Sequence, residues 1–257
     1  MMFDANCGLG RWPFRKLHVR TAAALRAELA RAGIDAALVY SLGAVFYKDV
    51  QSGNRELGAL RHAPWARLCA VVDPVRPGAE EDLEECVRDL GACAVRLVPG
   101  YHGYGLGDPR VEAFLRRAQG LRPGMPVVVT VRLEDERLHH PSARVPPVAM
   151  EALAALAQRL PEVPMVAAGA RLHEAWPALA APNVHFDVSR MMEQEFLPAA
   201  LRVIPAERLI FGTNLPLFTP ECAVCKLAEA PAAVKELIFH ANLERLLALS
   251  VPRSGGG

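Results

Sequence analysis

Two loops of this chain concentrate the side chains that acid–base chemistry needs. The richer one, residues 133–141, follows Arg132 and reads LEDERLHHP, with three acids, an arginine and two histidines. His140 precedes a proline, which favours an extended backbone and so holds the ring in place. A histidine beside a carboxylate can act as a general base. We therefore predict that Asp135 orients His140 as a base, with a solvated charged loop as the alternative interpretation.

The second loop, residues 99–107, reads PGYHGYGLG and holds four glycines. Because glycine lacks a Cβ, such a backbone can fold closely over a ligand. The hydroxyl group of Tyr101 would contact that ligand. His102 is a second candidate for the general base. A plain glycine-rich connection is the other interpretation.

Two arginines stand in apolar runs that otherwise predict buried strands. Arg96 lies in ACAVRLV, residues 92–98, and Arg132 ends PVVVTVR, residues 126–132. A charge in an apolar strand is costly unless it is satisfied. Two guanidinium groups near one another suit a carboxylate or phosphate, so we predict that both bind a small anionic substrate.

Other polar side chains end the apolar runs or follow them. We assign Asn6 and Ser189, together with Arg137 of the first loop, to substrate binding, and Asn214 to positioning the reacting carbonyl or water. Asp4 in the first run and Asp73 at the end of the third could equally well pair with other polar groups as internal plugs of the barrel.

Eight short, β-rich apolar runs alternate with helical patterns and must position these groups. The runs cover residues 1–7, 35–41, 67–73, 92–98, 126–132, 163–168, 184–189 and 208–214. Most are continuously apolar, which is typical of parallel strands buried on both faces. We predict an α/β fold, a single-domain (β/α)8 TIM barrel over residues 1–250, with a flexible tail over 251–257. An open doubly wound sheet is the rival, disfavoured because no nucleotide-binding glycine motif is present.

Helical patterns fill the intervals between the runs. We predict helices over residues 22–32, 54–62, 79–90, 109–119, 147–160, 170–179 and 193–203, and two more within 220–249. In a TIM barrel the functional groups gather at the C-terminal ends of the strands. The candidate residues above would therefore share one mouth of the barrel.

The overall charge argues against partners that are recognised through bulk charge. Lys and Arg total 29 against 28 Asp and Glu, a net charge of +1, which disfavours nucleic acid and anionic membranes. A hydrophobic content of 52% suits a globular protein. No apolar run is long enough to span a membrane and no signal peptide is recognisable, so we expect a cytoplasmic protein. The apolar C-terminal helices would suit a homodimer, although the sequence leaves the oligomeric state open.

The cysteines are expected to be buried thiols rather than a disulfide framework. They are Cys7, Cys69, Cys86, Cys93, Cys222 and Cys225, spread through apolar segments. Cys222 and Cys225 form a C-x-x-C without a second pair. Two packed thiols on a helix therefore fit better than a zinc or redox site.

Several segments together carry a family pattern. Residues 3–10 read FDANCGLG, residues 208–216 read RLIFGTNLP, and residues 242–246 read NLERL. They resemble the opening, the strand-eight signature and the closing segment of the amidohydrolase-related family, barrel hydrolases and decarboxylases of the amidohydrolase superfamily. The resemblance spans the whole chain and implies a TIM barrel that performs hydrolysis or decarboxylation.

The residues at the family's metal-ligand positions depart from the pattern. The two strand-one histidines fall on Asn6 and Gly8, the strand-five histidine near Thr130, the strand-six histidine on Ala167, and the strand-eight aspartate on Asn214. Asparagine is a poor ligand for transition ions, and glycine and alanine offer no side-chain ligand. We therefore expect no metal site and no cofactor.

Two functions of different classes fit these residues. The first is a metal-independent hydrolase acting on a lactone, ester or amide bond of a small carboxylated molecule, with decarboxylation as the runner-up. The arginines would then stabilise the developing oxyanion. The alternative is a catalytically inactive barrel that binds a ligand or a partner chain. Polar groups retained at the mouth favour the enzyme, because burying them is costly.

Overall fold

Eight parallel strands, each hydrogen-bonded to the next in chain order, form the centre of the structure, a computed structural model that describes residues 1–141 and 144–248. The strands are β1 (Phe3–Leu9), β2 (Ala36–Ser41), β3 (Ala66–Val71), β4 (Ala94–Leu97), β5 (Val127–Thr130), β6 (Met165–Ala168), β7 (Val184–Asp187) and β8 (Leu209–Ile210). The sheet closes on itself, since Ala5 N donates to Phe211 O at 2.9 Å and Gly8 N donates to Leu215 O at 2.7 Å. The predicted TIM barrel is confirmed.

Strand side chains alternate between two buried clusters. Val128, Val166 and Ile210 belong to the cluster of buried side chains in the barrel interior. Val127 and Val129 belong to the outer cluster, which packs against the helices. Because successive strand residues point to opposite faces, burial on both sides accounts for the continuously apolar runs.

The α-helices lie between the strands and after β8. They are α1 (Ala22–Arg31), α2 (Val50–Glu56), α3 (Ala79–Arg88), α4 (Pro99–His102), α5 (Pro109–Leu121), α6 (Met150–Arg159), α7 (Phe196–Leu201), α8 (Pro220–Cys225), α9 (Ala232–Glu236) and α10 (Asn242–Ala248). Side-chain caps fix two of their starts. Thr21 Oγ1 accepts from Ala24 N, and the Asp108 carboxylate accepts from Arg110 N with Pro109 in the first turn.

Three helix predictions need correction. The segment 170–179 forms only two 3₁₀ turns, Leu172–Glu174 and Trp176–Ala180, because Pro177 lacks the backbone N–H that a longer helix requires. The helix expected over 54–62 begins earlier, at Val50, where Asp49 supplies the cap. Residues 99–102, expected to lie in a loop, form α4.

The cysteine prediction is partly wrong. Cys7, Cys69, Cys86 and Cys93 are buried, whereas Cys222 and Cys225 are exposed. The two exposed thiols lie on α8, a six-residue helix on the outside of the barrel. The predicted tail, residues 251–257, lies outside the described residues. Over the described ranges, no helix combines the length and the apolar character that a membrane span needs.

Candidate functional site

A buried guanidinium lies inside the barrel and contacts side chains from three other strands. Arg96 of β4 is only 1% exposed. Its Nε donates to Thr130 Oγ1 at 2.8 Å, and its Nη1 donates to Asn6 Oδ1 at 3.0 Å. The guanidinium carbon stands 3.7 Å from the centre of the Tyr40 ring, a cation–π contact. The barrel therefore holds this cation in one fixed orientation.

A buried carboxylate balances that cation through an amide. Asp187, the last residue of β7, accepts from Asn6 Nδ2 at 2.6 Å and from Ser189 Oγ at 2.6 Å. The backbone N–H groups of Ser189 and Gly169 donate to the same carboxylate. Asn6 thus accepts from the guanidinium and donates to the carboxylate. Two charges that would be costly to bury alone are joined in one network.

A second cluster of polar side chains surrounds the carbonyl oxygen of Leu133. Asn214 Nδ2 donates to Leu133 O at 2.7 Å, and Arg190 Nη2 donates to the same oxygen at 3.0 Å. Asn214 takes a positive φ of 58°, which is uncommon for a non-glycine residue but tolerated by asparagine. Arg190 also lies over Phe218, with its guanidinium carbon 4.2 Å from the ring centre. Burial lowers the pKa of Arg190 to about 10.

Four buried polar atoms of these groups have no hydrogen-bond partner among the described residues. They are Arg96 Nη2, Tyr40 OH, Arg190 Nε and Asn214 Oδ1. A buried donor or acceptor left unsatisfied costs about 1–3 kcal/mol, so each such atom calls for an explanation. Arg96 Nη2 and Arg190 Nε are donors, the Tyr40 hydroxyl can donate or accept, and Asn214 Oδ1 is an acceptor.

Five aromatic rings from four loops cover this end of the barrel; we call them the aromatic cap. They are Trp12, Phe14, Phe46, Tyr101 and His140. Each ring contacts the next at a centroid distance of 5.1 to 6.2 Å. The loops follow β1, β2, β4 and β5, so the cap lies over the C-terminal ends of the strands. Tyr101 is also within electrostatic reach of Tyr40 and Arg190.

An ion pair joins two of the same loops. Arg15, from the loop after β1, donates to the carboxylate of Glu134, from the segment after β5. Glu134 is only 1% exposed in its side chain, whereas Arg15 is 39% exposed. Beside the cap, a cleft of about 460 Å³ opens between Arg15 and Phe218. Phe218, which lines this cleft, also contacts Arg190.

The structure separates the two arginines that the sequence placed together. Arg132 donates to both carboxylate oxygens of Glu174 at 2.7 Å and to the carbonyl of Gly169 at 3.2 Å. Its charge is therefore matched by a carboxylate of the protein itself. Arg137 is 88% exposed and pairs with Asp135. Arg132 meets the Arg96 network only through Gly169, whose N–H donates to Asp187. Because the charges of Arg132 and Arg137 are matched by carboxylates of the protein, we do not retain them as substrate ligands.

The candidate bases lie in different surroundings. His140 stacks on Phe14 in the aromatic cap with an interplanar angle of 8°, while Asp135 is held by Arg137. His102 Nε2 lies 3.1 Å from the carbonyl of Ala44, and because a carbonyl only accepts, Nε2 carries the hydrogen. Burial lowers the pKa of His102, so the ring is neutral near pH 7 and its Nδ1 can accept a proton.

The residues at the family's ligand positions do not fit a divalent metal. A Cβ built on Gly8 would stand 2.8 Å from Leu42 Cδ2 and 3.1 Å from Tyr40 Cζ, so a histidine there would require these side chains to move. Ala167 belongs to the outer cluster and Ala168 to the interior one, which corrects the assignment of the strand-six position. No group of three or more His, Cys, Asp or Glu side chains converges within residues 1–141 and 144–248.

Sequence reasoning missed several members of the site. Asp187 was recognisable as a carboxylate that ends an apolar run, but it was not assigned a role. Arg190 follows Ser189 and carried no separate signal. Tyr40 lies in an apolar strand, where an aromatic residue predicts core packing. Its contact with Arg96 depends on a pairing across strands that local patterns do not encode.

Comparison with known proteins identifies the relatives of this fold. The sequence matches the family model described as amidohydrolase over residues 9–249. No protein of curated function matches the sequence. The structure is similar to that of the 2,6-dihydroxybenzoate decarboxylase from Rhizobium, with a TM-score of 0.71 and 17% identity over 97% of this chain and 99% of that one.

Two further solved structures share the fold. The 5-carboxyvanillate decarboxylase from Sphingomonas paucimobilis has a TM-score of 0.75 and 12% identity, covering 96% of this chain and 98% of that one. A dihydroxybenzoic acid decarboxylase from Polaromonas sp. JS666, with bound manganese and an inhibitor, has a TM-score of 0.71 and 16% identity, covering 98% of each chain. At these identities the likeness shows the fold alone.

Proposed function

We propose that this chain, which belongs to the amidohydrolase family, transforms a small carboxylated molecule at its barrel mouth without a divalent metal. The observation that carries the proposal is Arg96. Two of its nitrogens are held by Thr130 and Asn6, while Nη2 is buried without a partner among the described residues. A donor fixed in this way can stabilise charge on a reacting oxygen without reorganising.

Arg190 and Asn214 complete the proposed binding site. Arg190 Nε offers a second buried donor, and Asn214 Oδ1 offers an acceptor for a hydroxyl or a water. A carboxylate bound at Arg190 would leave Arg96 for the oxygen on which negative charge develops. Tyr101, in the aromatic cap, would cover the bound molecule.

Hydrolysis of a lactone, ester or amide is the first candidate reaction. The oxygen of a water would bond to the carbonyl carbon while a histidine accepts its proton, and the carbonyl electron pair would move onto the oxygen held by Arg96. The pair then returns and expels the leaving oxygen or nitrogen, which takes the proton. His102 and His140 are the proposed bases, with His102 favoured because its Nδ1 is available.

Decarboxylation is a second candidate, favoured by the aromatic cap. This reaction needs no water: the bond between carbon and carboxylate breaks, carbon dioxide leaves, and the electron pair stays on the substrate. In a hydroxylated aromatic acid a proton would first be delivered to the ring carbon that bears the carboxylate, so that the neighbouring phenolate oxygen becomes a ketone. When the bond to the carboxylate breaks, the electron pair returns through the ring to that oxygen, which Arg96 would hold as a phenolate. Covering rings that exclude water suit such a step, and the similar structures include decarboxylases of carboxylated aromatic acids.

The experiment is a paired screen of the purified chain in the presence of a chelator. One panel contains carboxylated lactones, esters and amides, and the other contains hydroxylated aromatic acids. Product formation is measured for the wild type, for Arg96→Met and for Arg88→Met. Arg88 is the control because its side chain is 66% exposed and pairs with Glu84 on the surface.

We expect turnover in one panel, a loss of at least about 100-fold in Arg96→Met, as for removal of an oxyanion donor, and no change in Arg88→Met. Turnover that survives in Arg96→Met would contradict the proposed role of the guanidinium. Binding of carboxylated molecules without turnover in either panel would instead establish the inactive, ligand-binding barrel.

A further inference from the structure

The exposed cysteines Cys222 and Cys225 lie outside the proposed site and form a separate pair. They stand three residues apart on α8 and are the two exposed thiols among the six cysteines of the chain. Cys222 also lines the cleft beside Phe218, so a molecule in solution can reach it. The pair therefore has both proximity in sequence and access to solvent.

The backbone around this pair favours close approach of the two sulfurs. Hydrogen bonds of the 3₁₀ type flank it: Cys222 N donates to Thr219 O at 3.2 Å, Leu227 N to Val224 O at 3.1 Å, and Ala228 N to Cys225 O at 3.1 Å. Cys222 and Cys225 themselves lie within the α-helical turn of α8. α-Helical geometry places Cα atoms three residues apart at about 5 Å, within the range that a disulfide spans.

Cys222 and Cys225 differ from the other four cysteines in their exposure and in having Lys226 beside them. Lys226 follows Cys225, and its ammonium donates to the carbonyls of Val188 and Ser189 within electrostatic reach of Cys222. Thiol–disulfide exchange proceeds through the thiolate form of a cysteine. By contrast, burial raises the pKa of Cys86 to about 12 and that of Cys93 to about 11, which disfavours their reaction.

We propose that Cys222 and Cys225 are a redox modification site that closes reversibly to an intrachain disulfide, independently of the function proposed above. The oxidant would be a small disulfide such as oxidised glutathione. One thiolate attacks a glutathione sulfur and releases one glutathione thiolate. The second cysteine then attacks the protein sulfur of the mixed disulfide and releases the other. Two thiols are oxidised, one external disulfide is reduced, and two glutathione thiols form.

The site is tested by exposing the full chain to oxidised glutathione and measuring intact mass and peptides. A single tryptic peptide, residues 209–226, holds both cysteines and no other. We expect the wild type to lose two hydrogen atoms in this peptide and the number of thiols that react in the native protein to fall from two to zero. Reduction with a dithiol should restore both.

The single variants Cys222→Ser and Cys225→Ser are the matched controls. Each should stop at one glutathione adduct on the remaining cysteine, because no second thiol is present to release it. A wild type that keeps glutathione adducts without closing, that cross-links between chains, or that does not react would overturn the proposal. Loss of a thiol outside residues 209–226 in the folded protein would overturn its selectivity.

Discussion

Arg96 Nη1 donates to Asn6 Oδ1 at 3.0 Å, and Asn6 stands where the family pattern has a metal-ligating histidine. The guanidinium also contacts Thr130, at the position near the strand-five histidine. A fixed cation repels another cation by about 4 kcal/mol per unit charge at about 4 Å in an effective dielectric constant of about 20. A divalent metal close to this guanidinium would therefore be disfavoured.

Asn6 is the link between the two buried charges of the site. In Asn6→Ala, Arg96 loses one of its two side-chain hydrogen bonds, and Asp187 loses the amide donor at 2.6 Å. We expect the free energy of unfolding to fall by about 2–4 kcal/mol, since two buried charged groups lose a partner. Urea unfolding measures the change, and a loss below about 0.5 kcal/mol would show that the amide does not bridge these charges.

Substitution of Gly8 tests how closely side chains pack around the position of the family's second strand-one histidine. In Gly8→Ala, the new methyl group would meet Leu42 at 2.8 Å and Tyr40 at 3.1 Å, and overpacking of this kind costs about 1–3 kcal/mol. Gly120→Ala is the matched control, because a Cβ there meets nothing within 4 Å. Residue 120 lies in α5, so the control should gain up to about 1 kcal/mol. Equal thermal stability of both variants would contradict the packing described for β1.

The ion pair of Arg132 and Glu174 predicts a pH-dependent loss of stability. Burial alone would raise the pKa of Glu174, but hydrogen bonds from Arg132 and from a backbone N–H hold it below its usual 4.5. A depressed carboxyl pKa stabilises the fold above the unfolded value, and this stability is lost as the pH falls through the folded value.

Arg132→Met should therefore lower the free energy of unfolding by about 2 kcal/mol near neutral pH, less than for a fully buried pair. The difference from the wild type should shrink as the pH falls below 4.5 and through the lowered pKa of Glu174, where the carboxyl becomes protonated in both states. Chemical unfolding at several pH values measures this. A difference that is constant with pH would mean that the pair does not form.

The buried His185 of β7 predicts a second pH-dependent change in the free energy of unfolding, over a higher pH range than that of Glu174. Burial lowers the pKa of His185 to about 4 from the usual 6.5. Between these values the unfolded chain binds a proton that the folded chain does not, so stability falls as the pH falls from about 6.5 to about 4. The total loss is about 3 kcal/mol. In His185→Asn this slope should disappear, and an unchanged slope would show that another group titrates.

The strands and the Arg96 centre could be predicted from sequence for one physical reason. A parallel strand buried on both faces must be apolar throughout, so a charge within such a run must be matched inside the fold. Arg96 and Asn6 were identified on this basis, and the structure brings them together. The strand-eight match likewise located Asn214 at the barrel mouth.

The partners of these residues could not be predicted because they lie far apart in the chain. Glu174 is 42 residues from Arg132 and removes that arginine from the site. Asp187 is 181 residues from Asn6. Local periodicity determines which face a side chain occupies, but not which loop meets it. The aromatic cap is formed from four separate loops, so local sequence patterns could not predict it either.

The metal content of the folded protein tests the central claim most directly. The chain is incubated with excess Mn²⁺, desalted and analysed for manganese per polypeptide, together with a Cys222→Ser, Cys225→Ser double variant that removes the exposed thiols. Because Asn6, Gly8 and Asn214 offer no strong ligand for a divalent metal, we predict far less than one equivalent of manganese in both proteins. One tightly held manganese per chain, retained in the double variant, would contradict the account.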